Sequence, residues 1–375
     1  MGYYLNSASA YSLYESEFNS PYFVDKSLLL RELFPLVEAG NKHICITRPR
    51  RFGKSVMAAM VAAFFGKGVD SSCIFDALKI AQKEEKSSRV DSDGFEDTDS
   101  NGSVDTKSDG TMRKVEELDY RKYMNQYNVI YINFIEPANE THSYENFITY
   151  VKENLQEDLR EEFSDVKFRK NGTVTQDLKM IFLQTGLKFI FAFDEWDCIF
   201  HKDYITDKDR RSYINWLAAM TKDTGYVALS YMTGILPIAC TARMEASNQS
   251  APDGLTSWAS IVKYSSGSTI NNFDEYTMAT DDKFSKYFGF TESEVDELYS
   301  RYEARVSTGE RNVLREDLKH WYDGYHTPTS ERMYNPRSVV YALDRNRIRS
   351  YLREATSQVD VLARTFGDCR DDQMS

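Results

Sequence analysis

The apolar positions of this chain fall into two kinds of pattern. Short, nearly continuous runs occur at KHICIT (Lys42 to Thr47), VIYINF (Val129 to Phe134), KFIFAF (Lys188 to Phe193) and YVALSYMT (Tyr226 to Thr233). Runs of this length with no polar alternation predict strands buried on both faces, as in a parallel sheet. Between them lie helical patterns: KSVMAAMVAAFF (Lys54 to Phe65), Tyr144 to Phe163 and Arg210 to Lys222. The alternation predicts an α/β fold, with a parallel sheet flanked by helices on both sides.

The pattern changes twice along the chain. Residues 83–113 are rich in Asp, Ser, Gly and Thr and nearly devoid of large apolar residues, so this acidic insertion cannot bury enough surface to order itself. After Asp281 the chain reads as helical. TESEVDELYSRYEARV (Thr291 to Val306) opens on a Ser/Thr-x-x-Glu capping box, and NVLREDLKHWYDGY follows. The expected organisation is a tail over 1–21, an α/β domain over 22–280 and a small helical lid over 281–343. The stretch 344–375 reads as a tail or the truncated start of a further domain.

Composition narrows the class without choosing a function. Of the 375 residues 41% are hydrophobic and 28% charged, which permits a substantial core in a soluble protein. No run approaches the roughly 18 apolar residues a membrane span needs, and the first residues lack the basic and apolar regions of a signal peptide. A cytoplasmic location is the default expectation, with no membrane partner. The net charge of −12 argues against a chain that coats nucleic acid over its whole surface, and nothing in the sequence supports a nucleic-acid partner. Five scattered cysteines without a CxxC pair read as reduced thiols, and the five histidines form no metal-binding pattern.

The chemistry sits at the ends of the strands. After the first run, RPRRFGKS (Arg48, Pro49, Arg50, Arg51, Phe52, Gly53, Lys54, Ser55) matches the last three fixed positions of G-x-x-x-x-G-K-[ST], with Arg48 in place of the first Gly. A turn from a buried strand into a helix aims successive backbone N–H groups at an anion. Gly53 allows close approach, Lys54 reaches the β- and γ-phosphates, and Ser55 ligates Mg²⁺. Arg50 and Arg51 add positive charge. The plain alternative is a Gly-Lys-Ser tripeptide at an ordinary helix start.

FIFAFDEWD (Phe189 to Asp197) adds an apolar strand that stops at adjacent carboxylates, as a Walker B strand does. In that reading Asp194 holds Mg²⁺ and Glu195 orients the attacking water. Two acids capping a surface strand end are the bland reading. Both motifs lie at the C-terminal ends of expected parallel strands, where open α/β sheets bind ligands. Thr233, ending the next run, is a candidate sensor of the γ-phosphate. Arg243 is a weaker one, since most of the 46 Lys and Arg residues are surface charges. No Asn-Lys-x-Asp guanine motif is present, which favours ATP.

YFVDKSLLLREL (Tyr22 to Leu33), RPRRFGKS and the Asp-Glu-x-Asp of Asp194, Glu195 and Asp197 together resemble the bacterial AAA-ATPase-like family, whose members usually continue into a PD-(D/E)XK nuclease-like domain. FGFTESEVDEL (Phe288 to Leu298), WYDGY (Trp321 to Tyr325) and YNPRSV (Tyr334 to Val339) extend the likeness through the family's lid. The resemblance implies a P-loop ATPase of the AAA-like subclass, with ATP as substrate and Mg²⁺ as cofactor, and it makes Arg48 a family trait. Related ATPases place adenine or sheet-edge contacts near Asp25, although packing explains that segment as well. The carboxylate cluster of a nuclease is absent after Tyr341. A slowly turning nucleotide switch or scaffold, and the ATPase subunit of a mobile-element or defence nuclease system, are the alternatives. A protein partner or a homo-oligomer is left open.

Overall fold

A computed structural model describes residues 2–40, 42–82, 119–222, 224–236, 273–277, 283–327 and 332–349. The acidic insertion, Arg243 and nearly all of the C-terminal stretch lie outside these residues.

Five strands form one parallel sheet: β1 (Lys42–Thr47), β2 (Asn128–Asn133), β3 (Phe189–Asp194), β4 (Val227–Gly234) and β5 (Asp274–Thr277). Their spatial order is β2-β3-β4-β1-β5, so β4 separates the first two strands that carry the motifs. The run at Val129 lies between the motifs in sequence but at the sheet edge in space.

The unbroken apolar runs are explained by the period-two alternation of a strand. Phe189, Phe191 and Phe193 of β3 join one apolar layer, while Ile190 and Ala192 join the layer on the opposite face. The first layer is closed by α6 (Tyr144–Glu162), α7 (Val174–Thr185) and α8 (Asp207–Thr221), with the short α5 (Ile135–Glu140) beside them. The second is closed by α1 (Ala8–Phe18), α2 (Leu29–Ala39), α3 (Lys54–Phe65) and the short α4 (Ser72–Phe75).

Two expected boundaries move. Residues 1–21 are not simply a tail: α1 packs on α3, with Ala10 and Tyr14 in the core. Its apolar face is made by Ala and Tyr among Ser and Glu, a pattern too polar to stand out. Further back, Asp158 on α6 accepts hydrogen bonds from the backbone N–H groups of Tyr3, Tyr4 and Leu5 at 2.7, 2.6 and 2.9 Å, and Leu5 bridges to Ile130 of the edge strand β2. The N-terminal segment therefore covers an edge that would otherwise expose unpaired backbone groups. At the other boundary, Phe284, Tyr287 and Phe288 belong to the sheet's core, so the change of layer falls at Gly289, whose φ of +87° lets the chain turn away.

Beyond Gly289 a smaller apolar cluster gathers α9 (Glu292–Arg305), α10 (Arg315–Tyr322) and α11 (Pro336–Asp344). The Thr291 capping box at the start of α9 is present. The unit is not wholly helical, because β6 (Asp323–His326) and β7 (Arg332–Tyr334) pair antiparallel within it. Among the described residues no helix is long and apolar enough to cross a membrane.

Candidate functional site

The loop between β1 and α3 begins where β1 stops pairing. Arg48 N–H still donates to Gly234 O of β4, at 3.2 Å. Two left-handed residues then bend the chain, Arg51 at φ +71° and Gly53 at φ +82°. For Gly53 this costs nothing, whereas a non-glycine such as Arg51 pays of order 1–3 kcal/mol in such a conformation. Backbone strain of this kind is held where a loop must present its N–H groups in one direction. No side chain caps the N-terminus of α3, and its first turn contains no acid. The first N–H groups and the positive end of the helix dipole are thus left for an external anion.

Lys54 is buried at the base of the loop. Its Nζ donates to Pro49 O at 3.2 Å and lies 3.5 Å from Glu195 Oε1. Asp194, at the end of β3, is fully buried. Its Oδ1 accepts a hydrogen bond from Thr233 Oγ1 at 2.7 Å, and its Oδ2 has no hydrogen-bond partner. Burial, then the Glu195 charge, push the Asp194 carboxyl upward in pKa, against the pull of Ser55, Thr233 and Lys54. A buried carboxylate oxygen with no partner beside a Ser hydroxyl and a Lys fits a Mg²⁺ ion that takes most of its ligands from phosphate and water. No cluster of three or more His, Cys, Asp or Glu that could hold a metal by itself exists among the described residues.

Lys54, Ser55, Asp194, Glu195 and Thr233 are therefore brought together at the C-terminal ends of β1, β3 and β4. Other expected residues are used differently. The Arg48 guanidinium turns inward, donating to Thr47 O at 2.8 Å and Tyr276 O at 2.7 Å and lying over the Phe288 ring. It bridges β1 to β5 instead of facing a phosphate. Asp25 is likewise occupied by the backbone: Oδ1 accepts from Ser27 N–H at 2.8 Å and Oδ2 from Lys79 N–H at 2.6 Å. Its neighbour Lys26 is buried against Glu294 of α9 at 2.6 Å. Arg50 adds positive charge next to His201, whose pKa is lowered by burial first and by Arg50 second. Arg243 lies outside the described residues.

Two features of the site were not legible in its motifs. Phe52, 1% exposed, meets the Tyr325 ring edge-to-face with centroids 4.5 Å apart, and Asn335 Nδ2 donates to Arg50 O at 3.3 Å. The loop is thus gripped by the unit beyond Gly289. Asp197 is also fully buried. Its Oδ2 accepts from Ile235 N–H at 3.0 Å and Leu236 N–H at 2.7 Å, and burial, followed by Glu195, pushes its pKa up to about 6. The Asp-Glu-x-Asp spacing was the one signal that Asp197 does something particular.

Residues 15–94 match the AAA-ATPase_like family model, described as a predicted AAA-ATPase. The match runs from α1 through β1, the phosphate-type loop and α3, and supports an ATPase-like, nucleotide-binding function for this part of the chain. No curated protein matches the chain.

Proposed function

We propose that the chain binds and hydrolyses ATP with Mg²⁺. The observation that carries this reading is the convergence of Lys54, Asp194 and Glu195 on the uncapped N-terminus of α3. The strand order, with β4 between β1 and β3, fits the AAA-like subclass of P-loop ATPases.

In this reading the N–H groups at Gly53 to Ser55 and the Lys54 ammonium bind the β- and γ-phosphates. Ser55 and Asp194 Oδ2 would hold Mg²⁺, which when bound neutralises developing charge on the phosphates. Glu195 accepts a hydrogen bond from water and orients it toward the γ-phosphorus. Thr233 keeps Asp194 in place and senses whether the γ-phosphate is there. The unit beyond Gly289 acts as a lid that reads the loop through Phe52 and Asn335, passing its state to a protein partner or a second copy of the chain.

The test is release of phosphate from Mg·ATP by the purified chain, beside Lys54→Ala and Glu195→Gln. Turnover that is lost in both, with ATP still bound by Glu195→Gln, supports the assignment. Binding without turnover in the intact chain would make it a nucleotide switch, and absence of both would sink the reading.

A further inference from the structure

The turn after β3 is tied to the end of β4 by more bonds than a strand end requires. Glu195 is left-handed, at φ +50°. Trp196 N–H donates to Thr233 O at 3.1 Å, and Cys198 N–H returns to Glu195 O at 3.0 Å. Asp197 Oδ2 then takes the N–H groups of Ile235 and Leu236. From the other side, Tyr213 OH of α8 donates to Trp196 O at 2.8 Å. Gly234 has no room for a Cβ here, since one would stand 2.5 Å from Trp196 Nε1 and 2.7 Å from Asp197 Oδ1.

These bonds close a ring through the reactive side chains. Thr233 Oγ1 is on Asp194, Thr233 O is on Trp196, and Asp197 grips the residues just after Gly234. Glu195 sits within that ring, with its Oε1 3.5 Å from Lys54 Nζ. Removing the Asp197 carboxylate frees two N–H groups and lets the segment after β4 shift relative to β3. Thr233 and the left-handed Glu195 would shift with it.

We propose that Asp197 is a positioning residue for hydrolysis, fixing Glu195 and Thr233 at the γ-phosphate end of the site without touching nucleotide. The inference rests on the ATPase reading. It separates binding from turnover, because the hydrogen bonds of the Asp197 carboxylate go to the backbone of Ile235 and Leu236 after β4, whereas Glu195 and Thr233 act on the γ-phosphate. A displacement of about 1 Å at such groups is enough to cost on the order of 100-fold in rate.

The experiment measures kcat for Mg·ATP, the Kd for Mg·ATP and thermal melting in the wild-type chain, Lys54→Ala, Asp197→Ala and Asp197→Asn. Asp197→Ala is expected to lower kcat roughly 10- to 100-fold with Kd within about twofold. Asp197→Asn, whose amide oxygen still accepts both N–H bonds, is expected to recover most of the rate. Should the Ala variant fail to fold, Asp197→Ser, too short to reach both N–H groups, is read in its place. Unchanged kcat in a folded Ala or Ser variant, or a parallel loss of Kd and kcat that tracks the unfolded fraction, overturns the proposal. A wild-type chain that releases no more phosphate than Lys54→Ala overturns the ATPase reading and this inference together.

Discussion

Lys54 Nζ lies 3.5 Å from Glu195 Oε1, so the cation expected to meet the phosphates already faces the carboxylate expected to meet the attacking water. The pair crosses from β1's loop to the end of β3. Phosphate oxygens and Glu195 therefore compete for one ammonium. Replacing Glu195 by Gln removes the competitor and keeps the shape. The expected outcome is ATP bound more tightly, because the phosphates no longer compete with a carboxylate for the ammonium. Turnover should fall roughly 100- to 1,000-fold from loss of the base. Calorimetric binding and phosphate release measured on the same preparation check both. Weaker binding by Glu195→Gln would show that the pair does not oppose phosphate.

Phe52 ties the loop to the unit beyond Gly289. A Phe→Ala change at a fully buried site costs about 3 kcal/mol, from lost transfer free energy and the cavity left behind. Here the lost contact is the edge-to-face one with Tyr325, beside Gly289, where a Cβ would stand 3.1 Å from the Phe52 ring. If the unit reads the loop, ATP protects α9 to α11 from proteolysis in the wild-type chain and fails to do so in Phe52→Ala, although the variant still binds ATP. Equal protection in the two chains would leave Phe52 as packing alone.

The legible parts of this fold are those in which local pattern and burial agree. β1 to β4 are buried on both faces, so each reads as an apolar run, and the two motifs fall where these runs end. Strand β5, DEYT, has no fully buried residue and shows no such run. α1 hides its two core residues among Ser, Tyr and Glu. Within the site, Gly53, Lys54, Ser55, Asp194 and Glu195 were legible because their chemistry depends on local spacing. The roles of Arg48, Asp25 and Asp197 were not, because their partners are backbone groups of Tyr276, Lys79, Ile235 and Leu236, which chain proximity does not reveal. A side chain's charge says what it can bind, but the fold decides whether a ligand or a carbonyl is in reach.

Arg48 offers a direct test of that distinction. Arg48→Gly restores the first Gly of the common phosphate-loop pattern, so a phosphate-facing role or a merely neutral one predicts unchanged stability. The guanidinium instead joins Thr47 O to Tyr276 O over the Phe288 ring. Deleting it leaves buried carbonyls with fewer donors and opens space between β1 and β5. The expected loss is on the order of 3 kcal/mol in urea unfolding, with ATP affinity of the folded variant little changed. A variant as stable as wild type would refute the bridging role.

The buried Asp197 sets a pH dependence whose sign follows from its raised pKa. In the unfolded chain an Asp releases its proton near its ordinary value of 3.8, whereas the folded protein keeps it until about pH 6. Between these values the folded state binds more protons, so this group's contribution is fully present below pH 3.8 and is lost as pH rises through 6. The whole displacement is worth on the order of 3 kcal/mol. Of this, about 1 kcal/mol returns on going from pH 7 to pH 5. Asp194 shifts in the same direction and remains when Asp197 is replaced. Taken as the value at pH 5 minus the value at pH 7, the difference in unfolding free energy should therefore be about 1 kcal/mol lower in Asp197→Asn, because Asp194 and the oppositely shifted His201 contribute alike to both proteins. Urea midpoints at the two pH values measure it directly, and an identical pH difference in both proteins would mean that Asp197 titrates no differently folded than unfolded.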